Sequence, residues 1–171
     1  RFHRTDIRMR TTENLAEKHH VDIEHANSVK QQAHQLLLQS HQALDIKKHS
    51  ELFDLLHWAA LLHEVGLSIA FRAFHRHSAY ILRHTTMPGF NTEQQLLLST
   101  LVRFQRKALK IHEMPTFNLF KDRQVIDLVR ILRIAILVNG QRSDTLQLEL
   151  AIQVIDNDHW VLTCADKDWL E

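Results

Sequence analysis

Apolar residues recur at helical spacing over most of the chain. A first amphipathic stretch runs from about Asp6 to His19. A second opens after Asp22, a good N-cap residue, and carries Val29, Ala33, Leu36 and Leu37 on one face towards Leu44. Ser50 can cap a third helix, whose run from Leu52 to Leu62 is almost wholly apolar, so that helix is expected to be buried on most sides, with Gly66 as its stop. A fourth spans Phe74 to about Thr85 and is broken by Met87-Pro88-Gly89. Thr92 with Gln95 reads as a capping box for a fifth helix reaching Leu109. Asp122 caps a sixth, Arg123 to Val138, stopped by Asn139-Gly140. Beyond Gly140 the period changes to two. Leu146, Leu148, Leu150, Ile152 and Val154 alternate with polar or small residues, then Asn157-Asp158 turns into His159 to Thr163. A lone hairpin is marginal, so its apolar face is expected to be covered by the helices or by a partner chain.

Composition agrees with a mainly α fold. Three glycines and two prolines in 171 residues are too few for the many turns of an all-β protein. At 44% hydrophobic residues the chain can build a core, which excludes wholesale disorder. One cysteine, Cys164, excludes an internal disulfide and fits a reducing compartment. No apolar run in this sequence is long enough to span a membrane, and no secretory signal is found in it, so neither a membrane span nor secretion is expected. The first residue is Arg1 rather than Met, as expected of a fragment or a cleavage product.

The net charge of +1 conceals an asymmetry. Arg1, Arg4, Arg8 and Arg10 meet Asp6 alone at the start. Between residues 72 and 110, Arg72, Arg76, Arg83, Arg103, Arg106, Lys107 and Lys110 meet only Glu93. From residue 140 onward the balance is acidic. A basic middle of this kind attracts a polyanion. Arg103, Arg106, Lys107 and Lys110 recur at intervals of three and four, which would place them on one helix face. The candidate anion-binding set is Arg8, Arg10, His75, Arg76, His77, Arg103, Arg106, Lys107 and Lys110. The plainer reading pairs Arg76 and Arg103 with Glu64 or Glu93 as fold-holding ion pairs. No series of stacking aromatics accompanies the basic residues, so nucleic acid is not expected, although a nucleic-acid-binding helical domain is an alternative to test.

Fourteen histidines raise the question of a metal. His63-Glu64, at the end of a buried helix, resembles the centre of the HD superfamily of metal-dependent phosphohydrolases, with His25 in the place of the leading histidine. In that family a His-Asp pair and a later Asp hold the ion. Here the pair is His-Glu, and Ile136 stands where the last Asp is expected. The resemblance therefore implies an HD-like scaffold with a dismantled metal site, whose remnant is His25, His63 and Glu64. An independent HD-type metal-dependent phosphohydrolase is the alternative, and His63 and His77 as ordinary core histidines is the plain one.

Longer strings are more specific. They run Arg8-Met9-Arg10-Thr11, then Leu56-His57-Trp58-Ala59-Ala60-Leu61-Leu62-His63-Glu64-Val65-Gly66-Leu67, then His75-Arg76-His77-Ser78-Ala79-Tyr80-Ile81-Leu82. Pro88-Gly89-Phe90-Asn91, Leu101-Val102-Arg103-Phe104-Gln105-Arg106-Lys107-Ala108 and Phe117-Asn118-Leu119-Phe120 follow in order. Over nearly the whole chain this resembles the C-terminal half of bacterial exopolyphosphatase and its guanosine-pentaphosphate phosphatase relative, the Ppx/GppA family. The resemblance implies an HD-like helical domain over residues 1–140, then a β-hairpin at 141–171 belonging to a small incomplete β subdomain. It implies that catalysis, with its Mg2+, belongs to N-terminal actin-like domains, and no glycine-rich phosphate loop of that kind is found in this sequence. This chain is then expected to carry no catalytic residue and no cofactor of its own, to hold inorganic polyphosphate or pppGpp, and to form a homodimer. The implied location is the cytoplasm, or the periphery of the membrane.

Overall fold

The computed structural model describes residues 2–140 and 150–164. Six helices, α1 (Phe2–Lys18), α2 (Ile23–Ser40), α3 (Glu51–Leu62), α4 (Phe74–His84), α5 (Thr92–Arg103) and α6 (Asp122–Val138), precede a two-stranded antiparallel sheet of β1 (Leu150–Asp156) and β2 (His159–Cys164). The mainly α class with a C-terminal hairpin is therefore the observed one.

α3 is the central element. Leu52, Phe53, Leu55, Leu56, Trp58, Ala59, Ala60 and Leu62 are all buried, because α1, α2, α5 and α6 surround it. Facing leucines from other helices complete the core: Leu36 and Leu37 on α2, Leu82 on α4, Leu97, Leu98 and Leu101 on α5, Leu128 on α6. Each fully buried leucine contributes about 1.5–3 kcal/mol of transfer free energy, and together they fix how the helices lie.

Helix ends follow side-chain hydrogen bonding more closely than apolar periodicity. Asp22 caps α2 as expected, its Oδ1 accepting from the His25 N–H at 3.1 Å. Ser50 precedes α3, but its hydroxyl makes no capping bond. The capping box of α5 lies one residue earlier than its sequence pattern. Asn91 Oδ1 accepts from Gln94 N–H at 2.8 Å, and Gln94 Oε1 accepts from Asn91 N–H at 3.0 Å. Gln95 is occupied elsewhere, donating to the Leu82 and Thr85 carbonyls that end α4. Asp122 is the first residue of α6 rather than its cap. Lys121 precedes it and donates its N–H to Gln124 Oε1 at 3.1 Å.

The largest departure is the end of α5, which stops at Arg103 rather than Leu109. Buried Gln105 turns inward, donating to the His63 and Val102 carbonyls at 2.7 and 2.8 Å. Arg133 of α6 donates to the Phe104 and Lys107 carbonyls at 2.8 and 2.7 Å. These bonds replace the helical partners those carbonyls would have had, and Lys107 adopts a left-handed backbone, φ 68°. A shared helix face for Arg103, Arg106, Lys107 and Lys110 is thereby excluded.

The hairpin packs on α2. Gln39 behaves as a substitute strand edge, donating to the Leu150 carbonyl at 3.0 Å and accepting from the Ile152 N–H at 2.9 Å. Leu150 and Ile152 are buried and Val154 joins the same core. The expected cover for this face is thus found for these three residues, while Leu146 and Leu148 lie outside the described residues. At the turn, Arg130 donates to the Asn157 carbonyl at 2.7 Å and pairs with Asp158 at 3.2 Å.

Candidate functional site

Gly66 makes the first wall possible. A Cβ there would lie 2.2 Å from the Phe74 carbonyl oxygen and 2.4 Å from the Ser78 nitrogen, so only glycine lets α4 approach the turn at Val65–Ser68. Ser78 Oγ then links both sides, accepting from Gly66 N–H at 2.8 Å and donating to the His63 carbonyl at 3.0 Å. α4 begins at Phe74 after Ala73, whose φ of 55° is left-handed. His75 and Arg76 occupy its first turn.

The irregular segment after α5 forms the opposite wall. The two walls enclose a cleft of about 560 Å³, lined by Arg72, Arg76, Arg103, Arg106, Lys107 and Lys110 with His75. Among the described residues its single carboxylate is Glu113, which pairs with Arg103 at 3.2 Å and Lys110 at 3.9 Å. The cations converge although the helix expected to carry them ends early. Arg106 is braced over the Phe74 ring at 4.9 Å and Arg103 over Phe104 at 5.0 Å. Burial, then the fields of Arg106, Arg76, Lys107 and Arg103, hold the His75 imidazole below its ordinary pKa. Ala73 and Lys107, both with left-handed backbones, stand on facing walls, and such conformations persist where surrounding structure enforces them.

Three members of the candidate set lie elsewhere. Arg8 on α1 covers the Trp58 ring at 4.8 Å, Arg10 is exposed on α1, and half-buried His77 points off the cleft lining. Arg72 belongs to the cleft but was absent from that set. Its position in the basic 72–110 stretch was the available signal. The expected pairing with Glu93 is replaced, since the Glu93 carboxylate accepts from the Asn118 and Leu119 backbone N–H groups while Arg103 takes Glu113.

A second, more apolar groove of about 660 Å³ adjoins the first and shares Arg106 and Lys107 with it. Its other cations, Arg130 and Arg133, are already engaged with Asp127, Asp158 and backbone carbonyls.

His25, His63 and Glu64 do meet. Their donor atoms lie within 4.8 Å of one another, and His25 Nε2 is 3.7 Å from Glu64 Oε1. The His63 Nδ1 faces the Ala60 carbonyl at 2.5 Å, which assigns the proton to Nδ1 and the lone pair to Nε2. Ile136, the residue at the expected carboxylate position, lines the second groove. The trio offers three candidate donor atoms, to which an isoleucine at position 136 adds none.

The described residues form a helical domain closed by a hairpin and carry a basic cleft in which six cations meet one carboxylate. Residues 7–171 match the family model of the Ppx/GppA phosphatases, domain III, and the chain belongs to that family. No helix among the described residues is long and apolar enough to cross a membrane.

Proposed function

We propose that this chain is the polyphosphate-holding region of an exopolyphosphatase, a protein that removes terminal phosphate from inorganic polyphosphate or from pppGpp. The observation that carries the reading is the cleft itself: six cations and one carboxylate around about 560 Å³. Such an excess of like charge is unfavourable by itself and is relieved by a polyanion. Arginine forks suit phosphate oxygens in particular. In this reading hydrolysis and its Mg2+ belong to N-terminal actin-like domains of the same protein, this chain alone does not turn over phosphate, and two copies associate as a homodimer. The reading places the protein in the cytoplasm or at the membrane periphery.

The test is a titration of the chain with long-chain polyphosphate at several salt concentrations. Binding should weaken steeply with salt through counterion release. Replacing Arg103, Arg106 and Lys107 together by alanine should lower affinity at least tenfold at low salt. It should also make the salt slope shallower by about two, at ~0.7 per lost phosphate contact. Parental affinity and slope in a folded triple variant would remove the cleft as the site. Preference for duplex DNA of equal charge over polyphosphate would favour the nucleic-acid reading instead.

A further inference from the structure

The six cations do not account for His75. The residue is 6% exposed, its ring lines the cleft, and its Nδ1 is buried without a hydrogen-bond partner. An unpaired polar atom at a buried position is unfavourable and calls for a partner that arrives from outside. The surroundings identify the partner's charge. Arg76 faces the imidazole from α4 itself, Arg103 from the end of α5, and Arg106 and Lys107 from the segment that follows. Arg72 and Lys110 line the same cleft, with Glu113 as the carboxylate facing it. The turn at Val65–Ser68, packed on α4, brings no titratable side chain. An anion is what this environment lacks.

Resting on the reading of the cleft as a polyphosphate site, we propose that His75 binds a proton together with the phosphate chain, its Nδ1–H becoming a donor to a phosphate oxygen. The balance is simple: one proton comes from solvent to the imidazole, and no covalent bond is made or broken. Other groups in the cleft cannot play this part. Histidine is the side chain whose ordinary titration falls near neutrality, whereas arginine and lysine as residue types ordinarily titrate far above it. In the empty cleft, burial and the four neighbouring cations favour the neutral ring. A bound phosphate chain cancels those fields and stabilises the imidazolium. By linkage, the factor by which ligand raises proton affinity equals the factor by which the proton raises ligand affinity. Binding therefore tightens as the pH falls towards the ordinary histidine range and loosens above it.

The experiment is calorimetric titration of the chain with long-chain polyphosphate in two buffers of different ionisation enthalpy, for the parent and for His75→Gln, which can donate but cannot charge. The parent should take up more protons per bound site than the variant, by a fraction of one up to one. Parental affinity should fall by no more than tenfold per pH unit above neutrality, and that of the variant should be flatter. Because substitution of a buried residue puts the fold at risk, the His75 imidazole of the parent is also titrated by NMR with and without polyphosphate. Its midpoint should rise when ligand is present. Equal proton uptake in parent and variant, or an unmoved midpoint in a chain that binds polyphosphate, would overturn this proposal and leave the cleft reading standing. Absence of any polyphosphate binding by the parent at low salt would overturn the cleft reading, and this proposal with it.

Discussion

At the junction of α6 with the hairpin, Arg123 and Arg130 meet Asp127 and Asp158 at 3.2–3.7 Å, two charges against two. In the cleft, six cations meet Glu113. Both places are built from the same residue types, and the difference is the number of partners left over. The junction is locally neutral and carries an almost fully buried carboxylate, Asp127, whose burial raises its pKa against the opposing pull of Arg123 and Arg130. That arrangement holds one element on another. The cleft is far from neutral and partly open, an arrangement that weakens the fold slightly. Charge pairing thus separates residues whose charges are neutralised within the fold from residues whose charges are left over.

Three variants sharpen this contrast. The largest effect is expected from replacing Arg123 and Arg130 together by alanine, which leaves Asp127 buried without its cations. Unfolding free energy at neutral pH should fall by about 3 kcal/mol in urea titrations, while polyphosphate affinity stays at the parent value. The loss should shrink as pH is lowered into the carboxylate range. A folded-state pKa raised above the unfolded one makes stability fall with rising pH and return below it. A drop in affinity without a drop in stability would dissolve the distinction between the two regions. A smaller effect, about 1–2 kcal/mol, is expected for Gln39→Ala, which strands the Leu150 carbonyl and the Ile152 N–H. Hydrogen exchange at the Ile152 amide should accelerate, with the helices unaffected. The smallest concerns Glu113→Gln. Its ion pairs are exposed and worth about 0–1 kcal/mol, so stability should hardly move, yet removing the cleft's one counter-charge should strengthen polyphosphate binding by about two- to fivefold. Weaker binding in that variant would mean that Glu113 helps to shape the site rather than compete for it.

The helices were legible because their apolar faces are long and regular, and α3 could be recognised as central from its nearly unbroken apolar run. The cleft's cations were legible as a basic stretch, but the reason given for their proximity was not the operative one. Spacing of three and four from Arg103 to Lys110 implies a helix only while backbone carbonyls bond within the segment. Here Gln105 and Arg133 supply partners distant in sequence, and no local pattern announces them. The same cause moved the α5 cap from Thr92 to Asn91, since Gln95 was already engaged with the end of α4. His25, His63 and Glu64 were rightly expected to be neighbours. Arg8 and Arg10 entered the candidate set through charge, and His77 through its place with His75 and Arg76 at the start of the fourth helix; neither says in which direction a side chain points.

Gly66 is not a lining residue of the cleft, yet it bears on every distance across it. Because α4 rests on the backbone of residue 66 without an intervening side chain, the first-turn residues His75 and Arg76 are held at one depth relative to the wall formed by Arg103 to Lys110. The span between the walls is therefore a dimension set from behind, by a missing methyl group. Lengthening or shortening the cationic side chains would change the lining of the cleft, whereas any side chain at position 66 would push on α4 and change its width.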